Sequence, residues 1–423
     1  MSREADSSRS AGSQAALLAL VLTALAGAPA WAQAVGDNGI KVGEGRVHPY
    51  LDLDLRYDSA AGFFAASTSV LSPELIAHFR PGLRLEMPST NFTLNLSGDV
   101  DYVFYTGLLS PGSQSASHLE AVADINADFN HSGAVAFELG DHFSRLDRTT
   151  NAAVGAGVIS LFNEAHASLP IHPGGGALEV TPRFAFALEN LTPLATLPTS
   201  GCAPTDPSCS PTALNGMSYL NYQVGLNGRW RFLPKTAFIL ENAFDVRTYP
   251  SRTYPTQMIL RSSGGLAGLV TSKLAVLLRA GWGQDFTGGA STVIAHAELN
   301  WLLSDTSSIK GGYLRDLTAV PVYGSFSDDR GYLEARFFLG GRLTLRGYGA
   351  FDLISFSGSA GPPPTSGRRD SVVTVDLGPE YQFTRWLIGA LGYTLGARGS
   401  NQQAAASVNF TRHQAYLRLT LTY

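Results

Sequence analysis

The chain ends in LRLTLTY, residues 417–423, where apolar and polar side chains alternate to the last residue. The apolar side chains share one parity: Leu417, Leu419, Leu421 and Tyr423. The polar side chains share the other: Arg418, Thr420 and Thr422. Because successive side chains of a strand point to opposite faces, the segment predicts a strand with one apolar and one polar face. Such a strand suits a sheet between lipid and water, or the surface of a soluble β-sandwich.

The N-terminus favours the membrane alternative. An apolar stretch at 15–26 follows Arg3 and Arg9, and small residues follow at 29–34. This pattern is typical of a secretory signal peptide, so we expect residues 1–34 to be removed by cleavage after Ala32 or Ala34. A stretch of about 12 apolar residues is too short to cross a hydrocarbon layer that needs about 20. An exported chain without a longer apolar segment can enter a membrane only as a closed barrel of strands.

Composition agrees with a single domain of strands over residues 35–423. The chain has 45 glycines, 15% charged residues and a mean hydropathy of +0.04. These values are too apolar for a disordered chain, and no linker divides the sequence. The two cysteines, Cys202 and Cys209, lie in a Pro- and Ser-rich stretch with no histidine beside them. We expect a loop disulfide there rather than a metal site.

From residue 47 onward, alternating segments of about 10 to 15 residues are separated in turn by tight turns and by longer polar connections. The tight turns number eight, for example NHSG at 130–133. The longer connections number nine: 58–72, 106–116, 147–157, 190–216, 250–256, 284–290, 318–328, 358–369 and 399–405. Short periplasmic turns and long extracellular loops are typical of outer-membrane barrels. We therefore predict an all-β transmembrane antiparallel barrel of about 18 strands with periplasmic termini, and a count of 16 stays open.

Charge is confined to one parity of the clearest strands. Between 73 and 87 the charged side chains and His78 occupy even positions, while Leu75, Phe79 and Leu83 occupy odd ones. The apolar faces contain many Ala and Gly residues and carry aromatic side chains near the strand ends, which indicates a lipid face with aromatic girdles. The terminal strand resembles the C-terminal strand of bacterial outer-membrane barrels, which ends on an aromatic residue. The resemblance implies that Leu417, Leu419, Leu421 and Tyr423 are an assembly signal.

Acidic and basic residues are distributed unevenly along the chain. Residues 35–200 contain 18 acidic and 8 basic residues, and residues 201–423 contain 14 acidic and 20 basic residues. Because sequence order is angular order in a barrel, we expect two opposite pore-lining walls. The acidic wall comprises Asp52, Asp54, Asp99, Asp101, Glu120, Asp124 and Asp128. The basic wall comprises Arg229, Arg231, Arg261, Arg279, Arg336, Arg346 and Arg418. The alternative is that these charges pair with their neighbours, and both stay open.

A family resemblance is carried by residues 47–107, from HPYLDLDLRYDSAAGFF through PELIAHFRPGLRLEMPSTNFTLNLSGDVDYVFYTG. The acidic opening strand, the Tyr-Asp-Ser turn, the Arg-Pro-Gly-Leu segment and the tyrosine-rich third strand resemble outer-membrane porins encoded with exopolysaccharide biosynthesis genes. The resemblance implies a conduit for a secreted polysaccharide. It also implies two partners, a periplasmic export protein and an inner-membrane polymerase. Tyr50, Tyr105 and Tyr348 are candidate sugar-stacking faces.

The sequence contains weaker indications of other functions. A barrel of 18 strands encloses an aqueous lumen unless a plug fills it, and the best candidate for an inward-folded loop is 190–216. A general diffusion porin for small polar solutes is the alternative to export. A barrel enzyme is the second alternative, but Asp141-His142 and Glu164 with His166 come without a nucleophile motif. No cofactor, metal-ligand or nucleic-acid signature is found, so we expect only outer-membrane lipid and the barrel-assembly machinery as further partners.

The terminal aromatic gives a first prediction. Tyr423→Ser should lower the amount of folded barrel in the membrane, because the assembly machinery is expected to read this strand by pairing with it. Arg418→Ser should leave assembly intact and alter selectivity. Heat-modifiable mobility on a gel measures the folded fraction. Normal abundance of Tyr423→Ser with a changed conductance per pore would show that the two faces are reversed.

Overall fold

The computed structural model describes residues 39–61, 72–147, 158–174, 176–193, 216–321, 324–357, 367–401 and 409–423. The predicted signal peptide, the proposed disulfide between Cys202 and Cys209, and most of the loop at 190–216 lie outside these residues. No helix in the described part of the chain is long and apolar enough to cross a membrane.

The described residues form strands and one short 3₁₀ helix, Ser113–Ala116. The first ten strands are β1 Ile40–Val42, β2 Gly45–Ala61, β3 Ser72–Pro88, β4 Phe92–Tyr105, β5 His118–Phe129, β6 Phe137–Leu146, β7 Val158–Ser168, β8 Leu178–Pro193, β9 Tyr219–Leu233 and β10 Thr236–Thr248. The others are β11 Gln257–Leu269, β12 Leu274–Asp285, β13 Ser291–Ser304, β14 Ser307–Val320, β15 Gly324–Leu339, β16 Leu343–Phe356, β17 Arg369–Gln382, β18 Leu387–Ser400 and β19 Phe410–Thr422.

Strands β2 to β19 form a closed antiparallel barrel of 18 strands. Each strand pairs with its neighbours in the chain, and β19 pairs with β2 from Gln414↔Asp58 to Thr422↔Tyr50. Closure leaves no unpaired sheet edge, which a strand protein needs in lipid. The predicted fold class is confirmed. The sequence analysis missed β1, a three-residue strand that forms a hairpin with the start of β2.

Most connections are longer at one end of the barrel than at the other, as the sequence predicts. One end, here called the turn end, carries the tight turns and both termini of the barrel sheet. The other, the loop end, carries the remaining nine connections. The predicted loop at 318–328 is shorter than expected, because β14 extends to Val320 and β15 begins at Gly324. Most side chains on the outer face are exposed and apolar, for example Leu55 at 49% and Phe79 at 50%. Trp230, Trp301, Trp386 and Tyr423 are more than half exposed near the turn end, as in an aromatic girdle at a membrane interface. This surface makes the protein a barrel of the outer-membrane type.

The lumen side of the junction between β19 and β2, here called the seam, is held by charged pairs. Nη2 of Arg418 lies 3.0 Å from Oδ2 of Asp54, and Nε of Arg412 lies 2.8 Å from Oδ2 of Asp58. Gln414 also donates a hydrogen bond of 2.9 Å to Asp58. The carboxylates of Asp54 and Asp58 are 4% and 0% exposed. The seam therefore joins residues about 350 positions apart through buried, charge-assisted hydrogen bonds.

Three tyrosine rings on the lumen side lie over a glycine of the adjacent strand. A Cβ atom at Gly392 would come within 2.0 Å of Cζ of Tyr416, and a Cβ atom at Gly82 within 2.3 Å of Cζ of Tyr50. At Gly312 a Cβ atom would come within 2.6 Å of the Tyr332 hydroxyl oxygen. Each tyrosine is directly opposite its glycine in register. Glycine thus lets a large ring lie along the wall instead of across the lumen.

The seam gives a second prediction, and it changes the expectation for Arg418→Ser. Asp54→Asn and Arg418→Gln should each lower the free energy of unfolding by roughly 3 kcal/mol. The first leaves the buried Arg418 without its carboxylate, and the second leaves the buried Asp54 with only the longer contact of 3.5 Å to Arg56. The double variant should lose less than the sum of the two single losses. Urea titration followed by heat-modifiable mobility measures the loss. Asp305→Asn, in the exposed turn after β13, is the control, and additive losses at the seam would contradict the account.

Candidate functional site

The lumen wall between β2 and β5 holds the predicted acidic residues around one guanidinium. Arg80, which is 6% exposed, has Nη2 at 2.8 Å from Oδ2 of Asp101. Its other nitrogens lie 3.7 Å from Asp52 and 3.8 Å from Asp99. Nδ1 of His78 lies 3.1 Å from the same Asp101 oxygen. Arg80 thus places a positive charge in the middle of three carboxylates of the acidic wall.

The remaining acidic residues have the same lumen-facing parity and polar neighbours of their own. Asp54 pairs with Arg418 at the seam, and Oδ1 of Asp124 lies 2.6 Å from Nδ1 of His142. Glu120 accepts a hydrogen bond of 2.8 Å from the backbone N–H of Asp147. Asp128 stands opposite Glu138 on β6. The sequence analysis assigned Arg418 to the opposite, basic wall, whereas pairing of β19 with β2 places it beside Asp54 of the acidic wall.

Most residues of the predicted basic wall also have acidic neighbours. Arg261 bridges two carboxylates, with Nη2 at 2.6 Å from Asp245 and Nη1 at 3.3 Å from Asp316. The other ion pairs on this side are Arg229 with Glu179, Arg279 with Glu241, and Arg346 with Glu380. Arg231 is exposed near the turn end, and Arg336 stands directly opposite Arg346. Both walls therefore carry charges of both signs. Most pairs join adjacent strands, whereas Arg279 with Glu241 and Arg261 with Asp316 join strands farther apart in the sheet.

The hairpin of β14 and β15 bends into the lumen at the loop end. Pairing of β13 with β14 stops at Ala295↔Arg315, whereas β14 stays paired with β15 as far as Val320↔Gly324. The end of β14 thus separates from β13 while it stays paired with β15. We call residues 316–321 and 324–326 the inner hairpin.

Side chains of the wall hold the inner hairpin in this position. Arg247 on β10 donates a hydrogen bond of 2.7 Å to the Ala319 carbonyl oxygen. Nε2 of Gln257 on β11 donates to the carbonyl oxygens of Val320 at 2.6 Å and Gly324 at 2.7 Å. These contacts join residues on strands that are not neighbours in the sheet. The inner hairpin therefore covers part of the lumen face of β10 to β13.

Apolar packing supports the same bend. Leu317 and Ala319 form a buried cluster with Ile259 on β11 and Ile294 on β13. Gly283 on β12 lies under Leu317, because a Cβ atom there would come within 3.1 Å of Cβ of Leu317. The sequence analysis placed a loop at 318–328 and expected any inward loop at 190–216. The missed signal was Ile259 and Ile294, two large apolar residues on the polar parity of their strands.

The candidate sugar-stacking tyrosines have different surroundings. Tyr105 is 2% exposed and packs in an apolar cluster with Ile76, Val103 and Ala116. Tyr50 lies under the Arg84 guanidinium, whose carbon is 5.2 Å from the ring centroid. Tyr348 is half-buried on the lumen side of β16. Of the three, Tyr105 has no face available to a solute in the lumen.

A small cavity of about 80 Å³, partly open to solvent, lies along the wall of β8 to β11 toward the turn end. Its charged lining consists of Glu179, Arg183, Arg229, Arg231, Lys235 and Glu241. Asn227 and Gln223 add uncharged hydrogen-bonding groups to the same lining. The surface thus offers donors and acceptors of several kinds to a hydrophilic solute.

The two acid and histidine pairs considered for an enzyme are arranged differently from a catalytic pair. Asp141 and His142 are consecutive in β6 and point to opposite faces. Asp141 accepts hydrogen bonds of 3.0 and 3.1 Å from Asn163 on the outer face, and His142 contacts Asp124 in the lumen. His166 lies over Gly140, where a Cβ atom would come within 2.2 Å of the ring. Neither pair aligns an acid and a histidine toward a nucleophile in the described contacts.

Comparison with known proteins gives structural likeness only. No family model and no curated protein matches the chain. The ferric enterobactin receptor PfeA from Pseudomonas aeruginosa is similar at 10% identity and a TM-score of 0.43, over 89% of this chain and 80% of that one. The siderophore receptor PirA from Acinetobacter baumannii has 9% identity and a TM-score of 0.45, over 91% and 81%. OccAB3 of Acinetobacter baumannii has 10% identity and a TM-score of 0.45, over 90% and 100%.

The inner hairpin gives a third prediction. Replacing both Arg247 and Gln257 by Ala should raise single-channel conductance, because three hydrogen bonds that hold the hairpin over the lumen are lost. Conductance in planar bilayers is the measurement. Arg231→Ala, which removes an exposed lumen guanidinium away from the hairpin, is the control. Equal conductance of the double variant and the unaltered barrel would show that the hairpin does not narrow the path.

Proposed function

We propose that the protein is a passive conduit for hydrophilic cargo across the outer membrane. The observation that carries the proposal is the division of the barrel into an apolar outer face and a lumen face dense in paired charges and hydrogen-bonding groups. Such a lumen is solvated, and a barrel of this strand number is wide enough for an aqueous path. Catalysis, cofactors and nucleic acid have no part in the proposal.

The cargo that we favour is a secreted polysaccharide. Because most of the lumen charges form ion pairs with one another, the wall offers many polar groups without a strong local excess of one sign. A polyhydroxylated chain can exchange hydrogen bonds with such a wall, while ions of either sign gain little from it. The resemblance of residues 47–107 to exopolysaccharide-associated porins supports the same cargo. A periplasmic export protein and an inner-membrane polymerase would then deliver the polymer at the turn end.

A general diffusion porin is the second candidate, and the inner hairpin favours it. A segment that narrows the lumen from the wall limits the size of a passing solute, as a filter for small polar molecules requires. An extended polysaccharide chain needs a continuous path past the same hairpin. The two functions therefore differ in whether the inner hairpin excludes large solutes.

Deletion of the gene tests the favoured cargo directly. The deletion strain should lose surface polysaccharide by staining, and re-expression of the unaltered barrel should restore it. Re-expression of a barrel with Arg80→Glu, which reverses the charge among three carboxylates, should restore less, because it disrupts the lumen wall. Normal surface polysaccharide in the deletion strain would overturn the export role. Slower uptake of small polar solutes in that strain would then support the diffusion porin.

A further inference from the structure

Three potential metal ligands meet at the loop end of the lumen. His118 is the first residue of β5, Glu120 follows on the same lumen-facing parity, and Asp147 comes directly after β6. One ligand atom from each residue lies within 4.8 Å of the other two. Among the described residues, no other group of three or more histidine, cysteine or acidic side chains has this spacing.

The imidazole of His118 is oriented as in a metal ligand. Its Nδ1 lies 2.8 Å from the carbonyl oxygen of Ala116, so Nδ1 carries a proton that it donates to this oxygen. Metal-binding histidines usually donate their second ring N–H to a carbonyl or carboxylate in this way. The other nitrogen, Nε2, is then the one that faces Glu120 and Asp147.

Nε2 of His118 is buried and makes no hydrogen bond to any described residue, although Glu120 lies at ion-pair distance. The side chain is 6% exposed, and the Glu120 oxygen at 3.7 Å is beyond hydrogen-bond distance from Nε2. A buried nitrogen lone pair that faces carboxylates is unfavourable unless a cation lies between them. The observation thus points to an ion at this position.

We infer that His118, Glu120 and Asp147 bind one divalent transition-metal ion such as Zn²⁺. At metal–ligand distances of about 2.1 Å, tetrahedral donors lie about 3.4 Å apart, close to the separation of His118 and Glu120. One imidazole with two carboxylates suits a borderline divalent ion and leaves a coordination position for water. The donor atoms of the three residues lie at most 4.8 Å apart, and small rotations of the side chains shorten the longer distances to the tetrahedral separation.

The surroundings suit a structural ion. The ring of Tyr105 lies 6.3 Å from that of His118, centroid to centroid, and Tyr105 belongs to the buried apolar cluster with Ile76, Val103 and Ala116. This cluster keeps water from one side of the site. The ion would tie the connection that contains the 3₁₀ helix to the end of β6, and so stiffen the loop end. The inference does not depend on which cargo passes through the lumen.

Metal binding to the full-length barrel, purified from membranes and freed of metal with a chelator, tests the inference. Cys202 and Cys209 are replaced by Ser, because two thiols could bind Zn²⁺ themselves. Calorimetry with Zn²⁺ should give one site, and Co²⁺ should give a visible absorption spectrum of low coordination number. His118→Ala and Glu120→Gln should each weaken binding roughly tenfold or more.

The matched control is His142→Ala. His142 also faces the lumen and contacts a carboxylate, Asp124, at 2.6 Å, but it forms no such group of three potential ligands with the other residues that the structure describes. All variants are first shown to fold by heat-modifiable mobility. Full binding in His142→Ala supports the site. Three results would overturn it: no saturable binding, equal losses of binding in His142→Ala and His118→Ala, or unchanged binding in both His118→Ala and Glu120→Gln. In that case, a doubly protonated His118 in the metal-free barrel would identify a proton as the cation between the three side chains.

Discussion

Closure of the sheet is the constraint on which the rest of the structure depends. A strand in lipid has no water to satisfy its backbone, so every N–H and C=O group must pair with another strand. The pairing of β19 with β2 meets this requirement for the barrel as a whole. It also fixes the side-chain pattern, because a closed sheet has one face toward lipid and one toward the lumen. The alternation of apolar and polar residues along most of the strands follows from that geometry.

The lumen then has its own constraint, since its charges are held in a confined space. Arg80 among three carboxylates, Arg261 between two, and Arg418 against Asp54 show the same solution: each guanidinium lies beside at least one carboxylate of an adjacent strand. Such pairs add side-chain contacts between strands, and these contacts stabilise the barrel in addition to the backbone hydrogen bonds. A glycine opposite each of the large tyrosine rings leaves room for that ring to lie along the wall. The wall is therefore both polar and thin.

The sequence predicts the barrel well, because alternation and loop length are local signals that lipid enforces along each strand. It predicts the faces of Asp54, Arg80 and Arg418 for the same reason. It does not predict which charges pair, since partners such as Arg412 and Asp58 are joined only when the sheet closes. Nor does it predict the inner hairpin, because Leu317 and Ala319 continue an apolar alternation that a membrane strand would also show. In the folded barrel, Leu317 and Ala319 pack against Ile259 and Ile294, and this end of β14 does not pair with β13.

The central claim is that adjacent residues of one strand face lipid and lumen water in alternation. Spin labels at single cysteines along β9, from Gln223 to Asn227, measure it most directly in reconstituted bilayers. Collision with oxygen, which concentrates in lipid, should be strong at Val224 and Leu226, and collision with a water-soluble nickel complex should be strong at Gln223 and Asn227. Equal access of both reagents at all positions, or the reverse alternation, would contradict the account.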